Sequence, residues 1–324
     1  MKRREFVLAS GAAALACALP ARAQQAWPDK PVKLILSQPA GSGPDSMARM
    51  LGDQLSRKWN QPVVVENKPG GQNAIGAQAA AKASPDGYNF YYATTAALVT
   101  NSYLFKTLPY DPRKDFVPVA MIGLVPFALC VNTNSPIRTL PELIAYAKAN
   151  PGKLTIANEG PKTFGGMMVR LFAQQLGLQV NPVPYVSVGA AVVDTIGGQT
   201  EALLVDVPAI VQMAKAGKLR PIAVTTAKPV FGLEGVPPIA TVVPGFDYAG
   251  WHGVVAPAGT PALAIQRFNR DLDALLTDKE MAARILAVGP ITDGAGTPEQ
   301  MAGFLQAEHQ RWSKLTREVG ILPE

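Results

Sequence analysis

From Val32 onward, short β-rich runs alternate with helical patterns along the whole chain, and that alternation is the signature of parallel sheets covered by helices. The runs expected as strands are Val32–Ser37, Val63–Asn67, Asn89–Ala93, Val117–Ile122, Phe127–Val131, Thr155–Ala157, Val183–Tyr185, Ala202–Val205, Ile222–Thr225 and Gly253–Ala256. Several are apolar throughout, as strands buried on both faces are. Between them, Met47, Leu51, Leu55 and Trp59 recur every four positions and predict a helix with one stripe facing the core. Thr139 and Glu142 form a capping box with Pro141 in the first turn, opening a helix to about Asn150. Thr297-Pro298-Glu299-Gln300 repeats the device ahead of a final helix to about Val319, with His309 on its polar face. No tandem repeat or low-complexity tether interrupts the pattern, so two α/β lobes joined by strands, and therefore able to hinge, are expected. Lys228–Phe246, with Pro229, Pro237, Pro238 and Pro244, reads as an extended surface connection between them.

The first 23 residues have a different character. Lys2, Arg3 and Arg4 precede a 14-residue apolar run, Phe6–Leu19, and Ala21-Arg22-Ala23 places small residues at both cleavage-determining positions. This is a secretory signal with cleavage expected after Ala23. Arg3-Arg4-Glu5-Phe6-Val7 also resembles a twin-arginine motif; lipidation at Cys17 has less support, because the usual branched residue three positions earlier is absent. Removal of this segment leaves 26 cationic and 23 anionic residues, a net charge of +3. That near-balance argues against a nucleic-acid surface. It also leaves Cys130 as the one cysteine, so no intrachain disulfide supports the fold. Set in Pro126-Phe-Ala-Leu-Cys-Val131, that thiol is expected to be buried and inert. With 48% hydrophobic and 17% charged residues, the body has enough apolar surface for its own core, and no run after residue 23 reaches the roughly 18 apolar residues of a membrane span.

The loops after the strands carry the candidate chemistry, because ligands of open α/β sheets bind outside the carboxyl ends of strands, where amides and helix N-termini attract anions. Pro39-Ala40-Gly41-Ser42-Gly43-Pro44-Asp45 lies between the first strand and first helix; its glycines allow close backbone approach to a carboxylate, with Ser42 or Asp45 as the alternative helix cap. A dinucleotide fingerprint fails here, since Ser46 replaces the third glycine and Pro44-Asp45 puts a missing amide and a negative charge where pyrophosphate would lie. Asn67–Asn73 and the Thr94-Thr95 pair follow the second and third strands, and Asn158-Glu159-Gly160-Pro161-Lys162-Thr163 is the counterpart loop of the second half. Asp206 ends a strand just before Pro208, as a ligand contact or a cap. Lys162 is expected to be solvated.

No catalytic constellation accompanies these loops. His252 and His309 are the only histidines and have no partner at metal-ligand spacing. Val186-Ser187-Val188-Gly189 lacks the first glycine of a nucleophile elbow. Neither a metal nor a cofactor is expected, and the chain reads as a binding protein rather than an enzyme. A secreted nucleotide-binding enzyme is the alternative from another class.

Across nearly the whole mature chain the sequence resembles the Bug family, the periplasmic solute-binding proteins of tripartite tricarboxylate transporters. The resemblance rests on Pro39–Arg49, Pro62–Asn67, Pro85-Asp-Gly-Tyr88, Leu108–Phe116, Val183-Pro-Tyr185, Gly197-Gly-Gln199, Ala216–Arg220 and Ala256–Pro261, in that order. It implies a type II periplasmic-binding fold, two α/β lobes with a ligand cleft between them, here 24–124 with 248–324, and 125–247. It implies a small organic carboxylate as ligand: a di- or tricarboxylate, an amino acid or an aromatic acid. Carried over by position, its contacts would come from Ala40, Gly41, Ser42, Gly43 and Asp45, from Thr94 and Thr95, from Asn158 and Thr163, and from Asp206. The partners implied are the membrane subunits of a transporter, with the receptor itself a periplasmic monomer; a carboxylate-sensing protein without its own transporter is the variant reading. The sequence departs from the family pattern at Gln72 and Asn73, at Val186-Ser187, at Asn158 and Lys162, and at Gly166, where a histidine is frequent.

Overall fold

The computed structural model describes residues 27–287, 290–318 and 322–323, so the leader and its cleavage site lie outside the described residues. Ten strands form two five-stranded sheets. The first has the order β2-β1-β3-β10-β4, from β1 (Val32–Leu36), β2 (Val63–Asn67), β3 (Asn89–Thr94), β4 (Phe116–Val125) and β10 (Gly250–Pro257). The second has the order β7-β6-β8-β5-β9, from β5 (Phe127–Asn132), β6 (Thr155–Asn158), β7 (Asn181–Pro184), β8 (Ala202–Asp206) and β9 (Leu219–Val224). Each sheet is mixed: β1 runs parallel to β2 and β3 while β10 is antiparallel to β3 and β4, and β6 runs parallel to β7 and β8 while β5 is antiparallel to β8 and β9. The expected strands are thus all present, several extended by a few residues.

The helices follow their sequence signals. In α1 (Gly43–Trp59), Ser42 caps the first turn and Met47, Leu51, Leu55 and Trp59 are buried against the first sheet; each such side chain contributes about 1.5–3 kcal/mol through burial. The helix ends where Asn60 turns left-handed. Trp59 then reaches Asp271 of α8 (Ala262–Leu276), its indole N–H donating over 2.7 Å, which ties two helices on one face of the sheet. The Thr139–Glu142 capping box is formed at α4 (Leu140–Ala149). β5 and β8 are buried almost end to end, which is why their sequences do not alternate. Cys130 is fully buried within β5, and its surroundings push the thiol pKa up.

The chain passes from the first sheet to the second through Pro126 alone and returns over residues 225–249. The two passages are bonded to each other: the Thr225 amide donates to the Phe127 carbonyl over 2.9 Å, and the Phe127 amide reaches Thr225 Oγ1 at 3.2 Å. The two sheets are thus joined by one short passage and one long one, held together next to Phe127. The return segment is not the surface strap its prolines suggested. Val230, Leu233, Ile239, Val243 and Phe246 are all buried, although the segment forms no regular element beyond the helical turn Ile239–Thr241. A second correction concerns His309 in the last helix, α10 (Pro298–Glu318). It is buried, with the Tyr103 hydroxyl donating to its carbonyl over 2.7 Å, because the short helix Asn101–Leu104 covers that face of α10.

Candidate functional site between the lobes

The strand-end loops of the two lobes meet at two points. Gly43, the first residue of α1, faces the second lobe so closely that a Cβ there would stand 3.1 Å from Asp206 Oδ2 and 3.5 Å from Pro208 Cβ. At the second point the Lys162 amide donates to Gln72 Oε1 over 2.7 Å. Gln72 holds φ 51° and Asn73 φ 76°, left-handed backbone in which glycine would be unstrained. Asn73 is fixed from its own lobe, its carbonyl accepting from Ser37 Oγ and its side chain from Gln38 Nε2. The non-glycine residues of this loop therefore build a bridge across the lobes.

Many of the expected contact residues shape their own loops. Asp45 accepts the Gly41 amide at 2.9 Å, the Arg49 guanidinium at 3.0 Å and the Asn67 side-chain amide at 2.8 Å. Burial alone would raise its pKa; these three bonds outweigh that and hold it below the usual carboxylate range. Asp45 is thus the clamp that keeps Ala40–Gly43 in shape. Ser42 caps α1 and donates to the Pro39 carbonyl at 2.8 Å. Asn158 is buried and accepts the Gly160 amide at 2.9 Å, closing a tight turn. Thr163 caps α5 (Phe164–Gln175), accepting the Gly166 amide and donating to the Gly160 carbonyl. Gly166 has a steric reason to lack a side chain: a Cβ would stand 1.9 Å from the Gly160 carbonyl oxygen. Lys162, expected to be solvated, is half-buried, its Nζ 4.1 Å from the centre of the Phe105 ring.

At the end of β3 the two threonines divide their work. Thr95 Oγ1 accepts the Trp251 amide at 2.9 Å and so joins β3 to β10. Thr94 is buried, and its Oγ1 has no hydrogen-bond partner among the described residues. Two residues earlier on the same face, Tyr92 shares a 2.8 Å hydrogen bond with His252 Nδ1. Burial pushes the His252 imidazole down to about 3, so this histidine is neutral at physiological pH. The Tyr92 phenol is raised by burial and then by the Asp206 carboxylate.

Asp206 itself is buried at the N-cap of α7 (Val207–Lys215), where the Ala209 amide acts on its carboxyl against the effect of burial. Glu159, which the sequence reading quoted within its loop without singling it out, brings a second carboxyl to the same region. Its Oε2 lies 3.1 Å from the Cβ position of Gly165, beside the Phe127 ring. Both carboxyls are held above the ordinary range by burial, and Glu159 additionally by the charge on Asp206. A cavity of about 680 Å³ elsewhere on the first lobe, bordered by Tyr103, Arg113, Phe116, His309 and Arg317, includes none of the expected contact residues. No helix among the described residues is long and apolar enough to cross a membrane.

Residues 47–321 match the sequence profile described as Tripartite tricarboxylate transporter family receptor. The protein BugT of Bordetella pertussis is 34% identical over 296 residues, covering 91% of this chain and 90% of BugT. A UPF0065 protein of Bordetella bronchiseptica is 35% identical over 309 residues, 95% of this chain and 91% of its own. Among solved structures, an R. palustris protein determined with adipate superposes with a TM-score of 0.88 at 32% identity, over 92% of this chain and all of that one. The periplasmic binding protein BugD superposes with a TM-score of 0.85 at 27% identity, over 92% of this chain and 100% of that one.

Proposed function

The chain belongs to the tripartite tricarboxylate transporter receptor family, and from that premise we propose that it captures a small organic carboxylate between its lobes and presents it to the membrane subunits of such a transporter. The lobes are residues 24–124 with 248–324, and 125–247, and the protein works in the periplasm once residues 1–23 have been removed. The observation that carries the reading is the meeting of strand-end loops from both lobes at Gly43 and Asp206 and at Gln72 and Lys162. A ligand held there touches both halves, so it binds the closed arrangement more tightly than the open one and draws the equilibrium toward closure. The R. palustris structure with adipate, at 32% identity over most of the chain, supports a carboxylate as the ligand class.

In this reading the amides of Ala40 and Gly43, the Thr94 hydroxyl, the Asn158–Thr163 loop and Asp206 face the ligand, while the Gly41 and Ser42 amides are spent on Asp45 and Pro39 in shaping the loop. Asp45 and Thr95 hold those groups in place. Hydrogen bonds to a charged group contribute about 1.5–3 kcal/mol each before ordering costs, so three or four are enough for micromolar capture. The test is a thermal-shift panel of carboxylates on protein confirmed to be ligand-free: at least one should raise Tm, and none doing so would refute the assignment.

A further inference from the structure

Away from the lobe contact, one side of α10 and the segment leading into β4 enclose the cavity of about 680 Å³ on the first lobe, a size within the roughly 300–1,000 Å³ of small-molecule pockets. On α10 its lining falls at Ala302, Gln306, Gln310, Ser313 and Arg317, a spacing of three and four that keeps these residues on one side of the helix. Between positions 302 and 317 the helix rises about 22 Å, so the cavity is a groove along it. Leu98, Phe116 and Val255, all buried, supply apolar wall.

The lining changes character along the helix. Ala302 and Leu305 belong to the end nearer the start of α10, and His309, Gln310, Ser313 and Arg317 to the end nearer its finish. Arg113 joins the second group: its guanidinium donates to the Tyr103 hydroxyl over 3.0 Å, and that hydroxyl donates to the His309 carbonyl over 2.7 Å. Arg317 lies along its own helix, Nε donating to the Ser313 carbonyl over 2.9 Å. No carboxylate lines the cavity, and neither guanidinium is ion-paired among the described residues. The acids next to this end are occupied. Asp111 accepts the Arg113 amide and pairs with Lys114, while Glu308 accepts the indole N–H groups of Trp251 and Trp312. His309 adds no charge, because burial and then the Arg113 cation push its imidazole down to about 4. One end of the groove is therefore apolar and the other carries two guanidiniums without counter-charge.

We infer that this groove is a second binding site, separate from the space between the lobes, for a single-chain amphiphile with an anionic head. The head lies at the end where Arg113 and Arg317 stand, since a guanidinium fork matches a carboxylate, and the tail runs along Leu98, Phe116, Val255 and Leu305. A dicarboxylate would set its second charge against the apolar end, so the two sites select different ligands.

The experiment is isothermal titration calorimetry of ligand-free protein with hexanoate, octanoate and decanoate below their micelle concentrations, and with decyltrimethylammonium as the same tail on a cationic head. Affinity should rise with chain length, by up to about fourfold for each CH₂ that reaches the apolar wall, and the cationic amphiphile should not bind. The double variant Arg113→Gln with Arg317→Gln should weaken decanoate binding about tenfold or more. Ala302→Trp, which fills the apolar end from an exposed helix position, should weaken it by as much, whereas Gln72→Gly at the lobe contact should leave it unchanged. Decanoate held as tightly by both groove variants as by the wild type, or lost in Gln72→Gly and kept in them, overturns the inference. Equal binding of the cationic amphiphile, or no binding of any of the three acids, overturns it as well.

Discussion

Substituting Gly166 by alanine tests whether the second-lobe loop is held as tightly as its geometry demands. A Cβ at this position would stand 1.9 Å from the Gly160 oxygen, 2.7 Å from its carbonyl carbon and 3.1 Å from Pro161 Cα. Real Cβ contacts do not fall below 3.0 Å, so the Gly160-Pro161 backbone must retreat by about 1.1 Å. That backbone cannot yield alone, because Asn158 and Thr163 both bond Gly160. Overpacking of this kind costs about 1–3 kcal/mol, which for a lobe of this size lowers Tm by roughly 3–10 °C. The same retreat displaces the loop that faces the cleft, so ligand affinity should fall with stability. Gly303 is the matched control: it lies within α10, is exposed, and has nothing within 4 Å of its Cβ position. Gly303→Ala should raise stability by about 0.5–1 kcal/mol through helix propensity and leave binding unchanged. Differential scanning calorimetry and ligand titration on both variants decide the matter. A Gly166→Ala protein with wild-type Tm and affinity would refute the packing argument.

Gln72→Gly removes the bond to the Lys162 amide while relieving left-handed backbone strain, two effects of about 1 kcal/mol and opposite sign; Tm of the ligand-free protein should change little while calorimetric affinity drops, and unchanged affinity would deny the bridge its role in closure. Asp271→Ala leaves the buried Trp59 indole without its acceptor and strips Arg267 and Lys58 of their partner, which should cost about 2–4 kcal/mol in urea unfolding. His252 has its folded-state pKa depressed to about 3 by burial, against 6.5 when unfolded, so its neutral form contributes stability that is present above pH 6.5 and lost as pH falls toward 3. The wild type should therefore lose up to about 1.4 kcal/mol per pH unit more than His252→Gln over that window, and parallel pH profiles would contradict it. Glu159 has its folded-state pKa raised, first by burial and then by Asp206, so its contribution is complete below the ordinary carboxylate pKa and is lost as pH rises; Glu159→Gln should gain Tm on the wild type between about pH 5 and pH 9, and a constant difference would refute the sign.

What was legible in the sequence follows the range of the interactions. The ten strands announced themselves by local composition, and the Thr139 box by a spacing of three residues, because the forces that make them act within a turn or a pleat. The loops that meet across the lobes were picked out for the same reason, since strand ends and helix starts are local features. The roles within those loops were not separable, since a helix cap, a loop clamp and a ligand contact draw on the same side chains. Asp45 could have been any of these until Asn67, 22 positions away, was seen to donate to it. His309 read as surface because its covering residue, Tyr103, is 206 positions distant. The 228–246 segment read as exposed because its four prolines drew attention from the short apolar spacings Val230-Leu233 and Ile239-Val243-Phe246, which dock with only one helical turn among them.

The departures from the family pattern were visible in the sequence, but their joint meaning was not. Gln72, Lys162, Asn158 and Gly166 are scattered over 95 positions, yet they converge on one contact: Gln72 accepts the Lys162 amide, Asn158 turns the chain into Gly160, and Gly160 packs on Gly166. Each is explicable only through another. A glycine at 72 would forgo the bridge, and a larger residue at 166 would push away the loop that carries the bridging amide. Residues coupled in this way should respond non-additively. Once Gly166→Ala has moved the Gly160-Pro161 backbone, the Gln72 bond is already weakened, so adding Gln72→Gly should lower affinity by much less than it does alone. Simple additivity in that double-mutant cycle would mean that the bridge and the packed turn are independent, and that the lobe contact is not one unit.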